Sequence, residues 1–159
     1  MIYVDSSALL KHYVREAGTD ALDEKLNEAS RLHRTIFVSV LGYAEILATF
    51  ARRLREKHRL RVQLEQLQEQ FKSDWAFEIT HIELNTRVLL FIPRLVNTYP
   101  LKGSDAVHLA SALWLRDALK LGVDFGHTNR QLTFATSDKQ LKRAVLAEEL
   151  ELFDPEITK

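Results

Sequence analysis

MIYVDSSALL, residues 1–10, is the stretch on which the fold turns. Ile2-Tyr3-Val4 reads as a short buried strand, and Leu9, Leu10, Tyr13 and Val14 recur at helical spacing. Asp5 therefore stands where a strand stops and a helix begins. That place suits a helix N-cap, and it equally suits a catalytic acid beyond the carboxyl end of a strand. Asp5 alone does not choose between them.

The same strand-to-helix alternation continues along the chain. Further strands are expected at Thr35–Val40, Trp75–Thr80, Leu132–Thr136 and Leu150–Phe153, with helices near 6–16, 19–31, 41–57, 59–73, 83–98, 104–121 and 138–148. Alternation of this kind favours right-handed crossovers and a parallel sheet covered on both faces, an α/β protein with a small sheet. At 159 residues one domain, 1–159, is expected, large enough to bury a core without staples.

Composition narrows the function classes. With 46% hydrophobic and 28% charged residues the chain is ordinary globular protein. Its formal net charge is zero, so a nucleic-acid partner would have to meet a local basic patch. The absence of cysteine removes disulfides, thiolate nucleophiles and Cys-ligated zinc, and agrees with a reducing compartment. The apolar run Val88–Ile92 is too short to cross a membrane, and an aspartate interrupts what would be a signal core. A cytoplasmic protein is expected, without a membrane partner.

Four acids stand out by position. Asp5 and Asp138 each follow an expected strand, Glu45 lies one turn into the helix after the second, and Asp105 opens a helix in LKGSDAVHLASAL. Each aspartate singly reads as a cap that satisfies free N–H groups and opposes the helix dipole. Glu45 is surrounded in sequence by Tyr43, Ala44, Ile46, Leu47 and Ala48, and a buried glutamate needs an arginine or a polar pocket. If the strands are parallel, Asp5, Asp138 and the helix carrying Glu45 gather at one sheet edge. Two carboxylates about 4 Å apart repel by roughly 4 kcal/mol at an effective dielectric near 20. Such a cluster persists by taking up protons or by binding a cation. Oxygen ligands favour Mg²⁺ or Mn²⁺ over zinc, and the six histidines show no zinc spacing. His108 reads as a packing or hydrogen-bonding residue.

The segments YVDSSALLKHYV, SVLGYAEILATFARR, LKGSDAVHLASAL and FATSDKQLKRAV, in this order and spacing, resemble the PIN-domain ribonucleases, most closely the toxin subunit of VapBC toxin–antitoxin pairs. The resemblance implies a PIN-like three-layer sandwich with about four or five mostly parallel strands between helices. It maps the metal-binding and catalytic acids onto Asp5, Glu45, Asp105 and Asp138, with Asp5 and Asp105 as direct ligands and Asp138 or Glu45 completing the site. The hydroxyl beside the first acid maps onto Ser6, and the one before the last acid onto Ser137 or Thr136. It further implies a Mg²⁺- or Mn²⁺-dependent endoribonuclease, an RNA substrate, a VapB-type antitoxin partner and a homodimer. The helical extension at about 57–74 and the loop 122–131 exceed the compact family pattern.

RNA would need cations. The segment Arg52–Arg61 carries six basic residues against one acid, making Arg52, Arg53 and, beside Asp138, Lys139 the candidate phosphate contacts, extended by Lys142 and Arg143. A solvated helix face with ordinary ion pairs is the plainer reading. Leu60, Leu64, Leu67 and Phe71 form a stripe at helical spacing that suits the core or an interface. Rival readings are a catalytically silent PIN-like binding module and a PIN nuclease of RNA maturation. An aspartyl-phosphate phosphatase is set aside, because the second aspartate it needs is here Ser7.

Overall fold

The computed structural model describes residues 1–56, 61–125 and 131–157. In chain order the elements are β1 (Ile2–Val4), α1 (Ser6–Tyr13), α2 (Thr19–Arg31), β2 (Ile36–Ser39), α3 (Val40–Glu56), α4 (Arg61–Phe77) and β3 (Ile79–Ile82). There follow α5 (Thr86–Leu89), α6 (Ile92–Thr98), α7 (Gly103–Lys120), β4 (Thr133–Ala135), α8 (Lys139–Ala147) and β5 (Glu151–Phe153). The five strands form one parallel sheet in the order β3-β2-β1-β4-β5.

The strands alternate their side chains between two cores, as period two requires. Tyr3, Phe37 and Phe134 face one side, where Leu109, Leu113 and Leu115 of α7 and Leu141 and Val145 of α8 meet them. Ile2, Val4, Val38 and Ala135 face the other, against Leu9 of α1, Leu22 of α2, Ile46 and Phe50 of α3 and Phe71 of α4. The result is the expected three-layer α/β/α sandwich. Because every strand is parallel, the residues after β1, β2 and β4 emerge on one edge of the sheet.

The structure corrects two boundaries. The expected strand Trp75–Thr80 is the end of α4 followed by β3 at Ile79–Ile82. Trp75 extends the aromatic stripe of α4 one turn past Phe71, and both rings pack on Tyr43 at 5.2 and 5.6 Å. The expected helix 83–98 is two short helices. Asn85 caps α5 through Arg87 N and Val88 N, and Pro93 in the first turn of α6 has no N–H to continue the preceding helix. In the leucine stripe, Leu64 and Phe71 are buried and Leu67 packs beside them, so α4 is part of the core; Leu60 lies outside the described residues.

Two tertiary fastenings set limits on substitution. Gly18 stands at φ +89°, and a Cβ there would meet the Pro155 carbonyl oxygen at 2.8 Å. Gly18→Ala is expected to cost about 2 kcal/mol or more, lowering the thermal midpoint by about 4–8 °C in a melting experiment. Glu148 accepts from Arg94 at 2.6 and 2.8 Å and from the Tyr99 hydroxyl at 2.9 Å, tying α6 to the end of α8. The Arg94 guanidinium holds the Glu148 carboxyl below its ordinary value. A depressed carboxyl stabilises the fold above the unfolded-state carboxylate range and loses that contribution as pH falls through its folded-state value. Glu148→Gln is therefore expected to cost about 1 kcal/mol at pH 7, Arg94 being half exposed, with the difference from wild type vanishing at acid pH in urea unfolding.

Candidate active site

Asp5 ends β1 and begins α1. Its Oδ1 accepts from Ala8 N at 2.7 Å, a helix-capping bond, and Ser7 Oγ reaches both oxygens at 3.0 and 2.9 Å. Its Oδ2 accepts from Thr136 Oγ1, at the end of β4, at 2.7 Å. Asp5 is 4% exposed, and burial pushes its carboxyl above the usual aspartate range, against the pull of these donors. It is thus both a cap and a desolvated acid.

Thr136 joins the first acid to the last. Its hydroxyl accepts from Asp138 N at 3.1 Å while donating to Asp5. Asp138 caps α8 with Oδ1, which accepts from Gln140 N at 2.9 Å and Leu141 N at 2.8 Å. Asp105 sits in the first turn of α7, with Oδ2 accepting from Lys102 N at 3.3 Å. Burial first, and then the negative charge of Asp138, push the Asp105 carboxyl up.

Glu45 projects from α3 toward α7. Its partner is a histidine rather than an arginine: His108 Nε2 lies 2.8 Å from Oε2. Burial would raise the Glu45 carboxyl, but hydrogen bonds from His108, Ser6 and Ser104 outweigh it and hold the group below its ordinary value. His108 in turn meets the Tyr3 hydroxyl through Nδ1 at 2.9 Å.

The four sequence-predicted acids are therefore disposed along one edge, Asp5 and Asp138 joined through Thr136, Asp105 feeling the charge of Asp138, and Glu45 bonded to His108. Among the described residues, Asp5, Asp105 and Asp138 have no lysine or arginine ion pair. Nor do three such side chains among the described residues close on a single point as a metal cage. The donor set, all hard oxygen with two carboxyls raised by burial and like charge, fits Mg²⁺ or Mn²⁺.

Of the supporting residues, Ser6 lies against Glu45 rather than Asp5, whose own hydroxyl partners are Ser7 and Thr136. The Ser137 hydroxyl is buried with no hydrogen-bond partner among the described residues. Ser7 and Tyr3 were missed as site residues; Tyr3 meets His108 across 105 positions, which no local pattern announces. The basic candidates divide. Arg52 is exposed and lies seven residues after Glu45, on the same side of α3 and about 10 Å along it. Arg53 is drawn aside to Glu16 at 3.4 Å. Lys139 is exposed beside Asp138, whereas Lys142 is held by Asp154. Lys57, His58 and Arg59 lie outside the described residues, as do 126–130 of the long loop.

The PIN domain model matches residues 2–146. The chain belongs to the PIN domain family. Two curated relatives from Mycobacterium tuberculosis, Ribonuclease VapC45 of strain CDC 1551 / Oshkosh and Ribonuclease VapC49 of strain H37Rv, are each 29% identical over 124 residues, covering 74% of this chain and 78% of theirs. Among solved structures, VapBC2 from Rickettsia felis bound to a promoter DNA fragment shares the fold at a TM-score of 0.62 and 15% identity, over 97% of this chain and 98% of that one. FitAB bound to a DNA fragment does so at 0.64 and 15%, over 100% and 98%. At that identity the likeness is one of fold. The same PIN fold carries the resemblance read from the four acidic segments.

Thr136→Val keeps the side-chain shape and removes both hydrogen bonds of the hydroxyl. A buried carboxylate that loses a 2.7 Å donor is expected to cost about 1–3 kcal/mol, read by urea unfolding of the metal-free protein.

Proposed function

We propose that this protein is a metal-dependent endoribonuclease, the toxin component of a VapBC-type toxin–antitoxin pair, hydrolysing RNA phosphodiester bonds. One observation carries the reading: a PIN-domain chain disposes Asp5, Glu45, Asp105 and Asp138 on one sheet edge, and no basic side chain among the described residues pairs with the three aspartates. The names of its VapC relatives and of its VapBC and FitAB fold neighbours support the same reading.

Asp5, Asp105 and Asp138 would hold Mg²⁺ or Mn²⁺, with Glu45 completing the site. Bound there, the cation supplies Lewis acidity, lowers the pKa of water and neutralises charge on phosphate oxygens. The protein's own part is arrangement. Thr136 and Ala8 N fix the Asp5 carboxylate, the α8 N-terminus fixes Asp138, and Glu45 stays ionised to orient the attacking water. Exposed Arg52 and Lys139 flank this edge and are the candidate phosphate contacts on an electrically neutral chain. A VapB-type antitoxin is the proposed protein partner. A second copy of the chain is proposed as well, for which exposed Leu89, Leu90 and Val96 of α5 and α6 offer an apolar surface. No helix among the described residues is long and apolar enough to cross a membrane; a cytoplasmic site of action is part of the proposal.

Incubation of the purified protein with total RNA and mapping of new ends tests the activity, with a chelator control. Asp5→Asn is expected to keep the fold, because the amide preserves shape and removes a buried charge, and to abolish cleavage. Mn²⁺ at 100 times its dissociation constant should stabilise the wild type by about 2.7 kcal/mol and leave Asp5→Asn nearly unmoved. Cleavage that survives both chelation and Asp5→Asn would remove the acidic edge from the reaction. Cation binding with no cleavage of any RNA would favour a silent binding module.

A further inference from the structure

Behind Glu45 a buried hydrogen-bonded chain runs into the sheet. His108, 2% exposed, sits among Ala106, Leu109, Ala110, Ala112 and Leu113, a buried helix stretch whose one other polar side chain is Ser111, bonded back to the Val107 carbonyl. Both of its ring nitrogens are engaged, Nδ1 with Tyr3 and Nε2 with Glu45. Tyr3 is fully buried in β1, stacked on Phe134 at 4.9 Å and edge-on to His108 at 6.1 Å. On the other side, Gly42 brings the α3 backbone against the ring: a Cβ at Gly42 would stand 3.6 Å from His108 Cε1 and 2.8 Å from Val38 Cγ1. The imidazole is therefore held by hydrogen bonds to β1 and α3, with room beside the start of α3 for no more than one further methyl-sized group.

Proton counting gives this chain a direction. An ionised Glu45 only accepts, so Nε2 carries the hydrogen of the 2.8 Å bond. Burial raises the Tyr3 hydroxyl well above the usual tyrosine range, so it keeps its proton and can donate to Nδ1. One neutral tautomer satisfies every group: Tyr3 donates to His108, and His108 donates to Glu45. Burying an imidazole in an apolar helix is costly unless both nitrogens are satisfied, and here the satisfaction is directed at an acid of the site.

We propose that His108, backed by Tyr3, is a positioning residue that fixes the Glu45 carboxylate on the acidic edge and thereby sets the affinity for the divalent cation. The part concerning the cation rests on the metal-dependent reading above; the hold on Glu45 does not. Outer partners that orient a ligand by hydrogen bonding typically change metal affinity by about 10–100-fold when removed. His108→Leu removes the donor at similar volume. His108→Gln returns an N–H at the reach of Nε2.

Two measurements test the proposal. In metal-free protein, the long-range ¹H–¹⁵N spectrum of the histidine rings should show His108 as the Nε2-protonated tautomer, with signals that move in Glu45→Gln and in Tyr3→Phe. The Mn²⁺ dissociation constant by calorimetry should rise about 10–100-fold in His108→Leu and return to within several-fold of wild type in His108→Gln. An Nδ1-protonated ring, or signals indifferent to Glu45→Gln, would overturn the relay even if neither leucine nor glutamine variant folds. Unchanged Mn²⁺ affinity in folded His108→Leu, or equal loss in the Leu and Gln variants, would overturn the positioning role. Should the wild type bind Mn²⁺ without cutting RNA, the nuclease reading fails and the affinity series still decides the proposal. Should it bind no Mn²⁺, the cation part falls and the ring spectrum decides the hold on Glu45.

Discussion

Negative charge gathered at one edge of a parallel sheet, with none of the three aspartates in an ion pair with an arginine or lysine among the described residues, is the constraint on which this molecule depends. Two of its carboxyls are pushed up, Asp5 by burial alone and Asp105 by burial together with the charge of Asp138. A protein that needed only stability would have spread these groups or paired them, as it does at Glu148 with Arg94 and at Asp154 with Lys142. The contrast lies within one chain. Elsewhere acids find cations; along this edge they find backbone N–H groups, hydroxyls and one imidazole.

The sheet supplies the rigidity that makes such a cluster possible. Tyr3 faces the core of α7 and α8, Val4 faces the core of α1 to α4, and Asp5 leaves the strand at the edge. Packing on both faces therefore fixes where Asp5 emerges. The Thr136 hydroxyl, bonded at once to Asp5 and to Asp138 N, then sets the end of β4 against the end of β1. The same two-sided packing explains why Tyr3 has a polar function at all: its ring fills the core while its hydroxyl reaches the imidazole behind Glu45.

Sequence pattern disclosed the parts of this structure that depend on local chemistry. Asp5 and Asp138 were legible because a strand, an acid and a helix follow one another within a few residues. Glu45 was legible because it is an acid in an apolar helix. What the pattern withheld depends on long-range pairing. The Tyr3–His108 and Glu45–His108 contacts span 105 and 63 positions and leave no local trace. Trp75 misled because an aromatic residue before Ile79 scores as strand, whereas here it packs on Tyr43 as the last large ring of α4. The continuous apolar run through Phe91 concealed the break at Pro93, although a proline at that place is a sufficient reason for one.

Capping and a place in an acidic cluster, which compete as readings of a single aspartate, are combined here. Asp138 commits Oδ1 to two backbone N–H groups and Asp105 commits Oδ2 to one, so in each a hydrogen bond fixes the rotamer while the second oxygen has no donor among the described residues. Asp5 differs, with both oxygens engaged by Ala8 N, Ser7 and Thr136. Of the three, Asp5 is the fixed point. Asp105 and Asp138 are half exposed, each held through one oxygen only. Helix N-termini thus order the carboxylates in advance, and the positive end of each dipole offsets part of the repulsion that gathering them creates. A hard cation, were one to bind this edge, would meet side chains whose entropy has already been lost in folding, so its binding energy would not be spent on ordering them.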